Sequence, residues 1–204
     1  MATTTPNYGW PVPTDTDYVK DGAAAIEALG DAIDATVFAL PAGGLTLITS
    51  STFSAASIVS VNNCFTATYT NYRILYYQTT QSTTSNINLR FRNGGVDRTG
   101  SYVNFTQGIT SGGAASNLIG SVTVGYINTG VVGPKRTAID VFQPVTATIT
   151  SSVDGVGDGT DGSGNGAGYR VGFIYNVQDT NDGFSIFPAS GTITGSLKVY
   201  GYQD

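Results

Sequence analysis

The sequence predicts a mainly β protein: an antiparallel β-sandwich of jelly-roll type, preceded by an extended arm and one short α-helix. Three observations lead there. The chain is rich in glycine (27 of 204 residues) and aromatic residues (11%), and only 11% of it is charged, a composition that suits strands and tight turns over long helices. From residue 45 onward, short alternating apolar stretches repeat between Gly-rich connections. A helical pattern occurs once, near the N-terminus.

Residues 1–17 read as an extended arm. Pro6, Pro11 and Pro13 block helical and ladder hydrogen bonding, and Tyr8 and Trp10 lie among them. Apolar rings on a stiffened arm need a surface to cover them. Tyr8, Trp10, Pro11 and Pro13 are therefore the candidate anchor to a partner, the alternative being a tail folded back on its own domain.

Residues 18–44 read as a helix and hinge. The helix is placed at 22–38, with Asp21 as N-cap and a run of alanines as helix formers. Val19, Ile26, Ile33 and Leu40 recur every seven residues, and Leu29 fills the intervening position. That row is a candidate trimer seam, although two heptads do not hold a coiled coil by themselves. A single amphipathic helix on its own sandwich fits the same pattern. Pro41-Ala42-Gly43-Gly44 ends the helix.

Residues 45–204 read as the sandwich. Strands are expected at 45–53, 57–61, 72–79, 87–93, 101–107, 118–127, 135–142, 145–153, 168–177, 184–187 and 191–202. In 86–92, Ile87, Leu89 and Phe91 alternate with polar residues. Asn93-Gly94-Gly95 and Ser111-Gly112-Gly113 mark turns. The Gly- and Asp-rich stretch 154–166 reads as a long hairpin loop, with Asp154, Asp158 and Asp161 as weak calcium candidates. Its spacing fits neither an EF-hand nor a nonapeptide calcium repeat.

Several function classes find no support in the residues. Histidine is absent, which removes the commonest general base and transition-metal ligand and any Ser-His-Asp triad. The single Cys64 lies in an apolar stretch and reads as a small buried hydrophobe. No Gly-rich phosphate loop opens a helix. Asp97, Asp140, Asp179 and Asp182 are the carboxylates from which a glycosidase pair would have to come, but their spacing does not suggest one. The reading is of a non-enzyme with no cofactor.

Charge is uneven. Residues 1–40 hold six acidic residues against Lys20 alone, whereas residues 41–204 hold eight acids and eight bases. With no basic patch, nucleic acid is not an expected partner. No stretch is apolar enough to span a bilayer, and the N-terminus lacks a secretory pattern, so a protein made in a cytoplasm, and kept there or released by lysis, is expected.

Residues 2–35 resemble the N-terminal segment of bacteriophage virion proteins of the minor-tail, tail-fibre and head-fibre type. The likeness rests on Asn7-Tyr8-Gly9, Pro11-Val12-Pro13-Thr14, Val19-Lys20-Asp21-Gly22 and Ile26-Glu27-Ala28-Leu29-Gly30. The stretches 65–73 and 191–202 resemble the C-terminal domains of such proteins. The resemblance implies a homotrimeric knob on the virion exterior, held by its N-terminal arm to another phage structural protein of the capsid or tail. A receptor-binding adhesin for host-surface glycans, using exposed tyrosines, is the alternative.

Overall fold

A computed structural model describes residues 3–14, 18–39, 43–110, 113, 115–128, 133–160 and 165–203. The chain divides into two compact units, Met1–Gly43 and Gly44–Asp204.

The first unit is a small hairpin on a helix. β1 (Thr3–Thr4) pairs with β2 (Pro11–Val12), and β2 packs against α1 (Gly22–Ala39). The extended-arm expectation is thus corrected. The chain reverses through a turn in which Thr5 N donates to Trp10 O at 2.9 Å, Gly9 N to Thr5 O at 3.0 Å, and Trp10 N to Thr5 Oγ1 at 3.0 Å. Gly9 makes the reversal possible, with φ at +67°. Pro11 is tolerated in β2 because this two-stranded ladder is all edge. The helix starts at Gly22, as expected. A 3-10 turn at Val19–Asp21 precedes α1, its N-cap is Tyr18, and Asp21 lies inside the turn without capping it.

The second unit is the expected antiparallel sandwich. Its strands are β3 (Leu45–Ala56), β4 (Val59–Val61), β5 (Asn71–Gln81), β6 (Ile87–Asn93) and β7 (Val96–Asp97). There follow β8 (Tyr102–Thr110), β9 (Ala115–Val122), β10 (Gly125–Asn128), β11 (Lys135–Phe142) and β12 (Ser151–Thr160). The last three are β13 (Gly166–Tyr175), β14 (Gly183–Pro188) and β15 (Ile193–Tyr202). The eight-stranded sheet runs β3-β15-β5-β11-β12-β13-β8-β9. The five-stranded sheet runs β10-β6-β14-β4, with β7 beside β6. The chain crosses between the sheets repeatedly, which is how two faces come to share one core.

Period-two alternation places that core. Tyr72, Ile74 and Tyr76 of β5, Ile139 and Val141 of β11, and Val171 and Phe173 of β13 point inward from the large sheet. Leu89 and Phe91 of β6, with Phe184 and Ile186 of β14, meet them from the small one. Between β6 and β7 the turn at Gly94 and Gly95 has φ of +57° and +79°, a left-handed pair that glycine adopts without strain. Cys64 is buried in this core as expected, and burial pushes its thiol up to about 12.

Two stretches depart most from expectation. Residues 145–150 form turns, and the strand begins at Ser151 and runs through the Gly–Asp stretch to Thr160. The expected hairpin loop is thus largely strand, because β12 lies between β11 and β13 and takes ladder hydrogen bonds from both. The single strand expected at 118–127 is two strands in different sheets, broken at Thr123–Val124.

Candidate interaction surfaces

In the first unit, Trp10 is the organising side chain. Its indole Nε1 donates to Thr36 Oγ1 at 2.9 Å, and that hydroxyl donates in turn to Ala32 O at 2.8 Å. Tyr8 stacks on Trp10 with ring centroids 5.1 Å apart and planes 18° apart, yet remains largely exposed. Pro11 and Pro13 are half-buried. The four candidate anchor residues therefore share one hairpin, with Trp10 turned toward α1 and Tyr8 outward.

The candidate seam residues do not share one environment. Gly22, Ala25, Leu29, Ala32, Ile33 and Thr36 form the half-covered stripe of α1. Leu29 and Ile33 belong to it, while Ile26 stays 66% exposed and Val19, in the 3-10 turn, 98% exposed. Leu40 lies outside the described residues. Val37 and Phe38, which the heptad reading missed, add to the uncovered apolar surface, with Phe38 90% exposed. No residue of α1 is fully buried.

Two of the three candidate calcium residues are paired with arginines. Asp154 and Asp158 point outward from β12, where Arg170 Nη2 approaches Asp154 at 3.2 Å and Arg136 grips Asp158 with two hydrogen bonds of 3.0 and 2.9 Å. Four residues along a strand separate the two carboxylates by roughly 13 Å, so they do not meet at one ion. Asp161 lies outside the described residues. Among those residues, no group of three acidic or cysteine side chains is placed to hold a metal. The Arg136–Asp158 pair is well exposed, and its energetic weight is correspondingly small. Arg136→Ala is expected to change the free energy of unfolding by less than about 1 kcal/mol, read by urea titration. A loss several times larger would show that the charged face of β12 holds the sheet together.

The four remaining carboxylates considered for acid–base work are each engaged. Asp97 accepts from Arg92 and from Ser185 Oγ at 2.8 Å. Asp140 accepts from the Tyr202 hydroxyl at 2.6 Å beside Arg73, Asp179 pairs with Arg98 at 2.6 Å, and Asp182 accepts from Gly94 N at 2.8 Å. Asp140 lies on the large sheet and Asp97 beside the small one.

Sequence reading also missed a buried polar cluster. Lys135 is wholly inaccessible, and its Nζ donates to Gln81 Oε1 at 2.6 Å. Gln78 Nε2 donates to the same oxygen at 3.3 Å, and the Tyr76 hydroxyl donates to Gln78 Oε1 at 2.7 Å. Gln81 Nε2 donates to Ser85. Burial lowers the Lys135 amine to about 7. The period-two pattern of β11 was the available signal, since it puts Lys135 in phase with the buried Thr137, Ile139 and Val141.

On the outer surface of the large sheet, a groove of about 630 Å³ runs over β5, β11, β12 and β15. Leu75, Ala138 and Val156 line it, with Tyr77, Arg136 and Lys198 around them. Gly172, also on this surface, leaves room for the Phe105 ring: a Cβ there would come within 2.1 Å of it. No protein-family model matches the chain, and a search of curated proteins found no relative.

Proposed function

We propose that this chain is a structural protein of a bacteriophage particle, a short homotrimeric fibre or knob attached to the virion by its N-terminal unit and exposed through its sandwich. The observation that carries the proposal is the unsatisfied character of that unit. Its helix buries no residue completely, while Tyr8, Val19, Ile26 and Phe38 present large apolar surface. Such surface on so small a unit is stabilised when other chains cover it. The resemblance of residues 2–35 to the N-terminal segment of virion fibre proteins supports that setting, and the acidic excess of residues 1–40 favours a positive partner surface.

Deletion of residues 1–17 removes the Trp10–Thr36 contact and the stacked ring pair. The deletion is expected to leave a folded sandwich and to abolish incorporation into particles. Trp10→Ala is expected to weaken incorporation, because it removes the indole that ties the hairpin to Thr36 of α1 and on which the outward Tyr8 ring stacks. Quantitative immunoblotting of purified virions reads both. Normal occupancy by the deleted form would show that the attachment lies elsewhere.

A further inference from the structure

The two outer surfaces of the sandwich differ in kind. On the small sheet, Arg92 hydrogen-bonds to Asn62, Ser60, Ser185 and Asp97, and the Arg90 guanidinium caps the Phe187 ring at 4.9 Å. Polar groups thus satisfy one another there and cover an aromatic ring. On the large sheet, Leu75, Tyr77, Phe105, Ile109, Ile119 and Val156 are all at least 39% exposed. They come from β5, β8, β9 and β12, so they spread across the surface and do not cluster at one rim.

The size of this surface suits a stable contact. Eight strands about 4.8 Å apart span roughly 34 Å. Strands of 8 to 12 residues are roughly 26–40 Å long at about 3.3 Å per residue. The surface is therefore on the order of 1,000 Å², more than the approximately 800 Å² per partner of a standard interface.

Its charges identify the occupant. Arg136 is paired with Asp158, Arg170 with Asp154 and Arg73 with Asp140, each within the same sheet. The sandwich has equal numbers of acids and bases. A strongly charged foreign partner finds almost no field to match, whereas two identical surfaces of this kind meet without repulsion. The groove over Ala138 adds a hollow that can receive side chains from the facing copy.

We infer that the outer surface of the eight-stranded sheet, centred on Leu75, Tyr77, Ala138 and Val156, is where copies of this chain associate. This deepens the homotrimer in the proposed function. It assigns the main contact to the sandwich, with the two-heptad helix as an accessory.

The test uses the full chain at about 10 μM in analytical ultracentrifugation. Leu75→Glu combined with Val156→Glu is expected to reduce the mass to that of a single 21.1 kDa chain. Val19→Glu combined with Ile26→Glu is expected to leave the assembly intact. A monomeric parent, or an assembly that survives the sheet variant and dissolves with the helix variant, overturns the inference. Val156→Cys supplies a measurement independent of that variant's folding, because Cys64 is buried and silent. Its thiol is expected to react with a maleimide at least tenfold more slowly at 10 μM than after dilution into the dissociated range. Equal rates overturn the inference. Failure here alongside normal particle incorporation leaves the virion assignment standing, since that assignment is read on particles and not on mass.

Discussion

Phe91→Ala is expected to destabilise the sandwich by about 3–5 kcal/mol, a large fraction of what a domain of this size possesses. Phe91 has no exposed surface, and its ring lies 5.9–6.4 Å from the rings of Phe65, Tyr102, Phe173 and Tyr175. Those neighbours come from β8, β13 and the loop before β5, so one ring on β6 ties the small sheet to the large one. Truncation leaves a cavity walled by rigid rings that collapse poorly into it. Urea unfolding at fixed protein concentration measures the loss. Val96→Ala, at a position 68% exposed, is expected to stay within about 0.5 kcal/mol as the control. A loss under 1 kcal/mol for Phe91→Ala would show that the aromatic cluster does not hold the sheets together.

The second large effect is on pH dependence. Lys135 titrates near 7 in the folded protein, against 10.5 when solvated, because burial disfavours the ammonium. Between those values the unfolded chain binds more protons than the folded one. Stability therefore rises with pH from about 7 upward, and below 7 the contribution is flat and at its minimum. Near pH 10 the trend reverses. Burial raises the Tyr76 and Tyr102 phenols above their usual value, so the unfolded chain loses those protons first, and stability falls. Lys135→Met removes the buried charge while keeping the chain's length. It is expected to raise stability at pH 6 and to flatten the rise between 7 and 9.5. Urea midpoints at half-unit pH intervals decide this, and a slope unchanged by the substitution would rule it out.

Much of the sandwich was legible because half-buried strands write their orientation into the sequence. Ile87, Leu89 and Phe91 alternate, and all three are fully buried in β6. The helix was legible from its alanines, and it ends at Ala39 against an expected 38. The Gly–Asp stretch was not. Its glycines argue for a loop in any local reading, and only pairing with β11 and β13 on both sides makes it a strand. A weak trace was present, because Asp154, Val156 and Asp158 occur at every second residue and face Arg170 and Arg136 across the ladder. The hairpin of the first unit escaped for a related reason. Prolines announce extended backbone but do not say where it turns back, and the partner of Trp10 is Thr36, 26 residues away. The candidate anchor was visible as rings on a stiff segment. The association surface was not, because an outward Leu75 or Ile119 looks like any strand residue until the whole sheet is assembled.

The position of β15 has a consequence for biosynthesis. It lies between β3 and β5, pairing with residues 45–56 on one side and 72–81 on the other. The first and third strands of the sandwich to be translated thus have no direct ladder to each other. Both wait with an open edge while more than a hundred further residues emerge from the ribosome. Co-translational closure of the large sheet is impossible before residues 193–202 clear the exit tunnel, so the nascent chain carries unpaired edges through most of its synthesis. A ribosome stalled anywhere ahead of β15 would hold an aggregation-prone intermediate, and folding would be triggered by the arrival of one late strand.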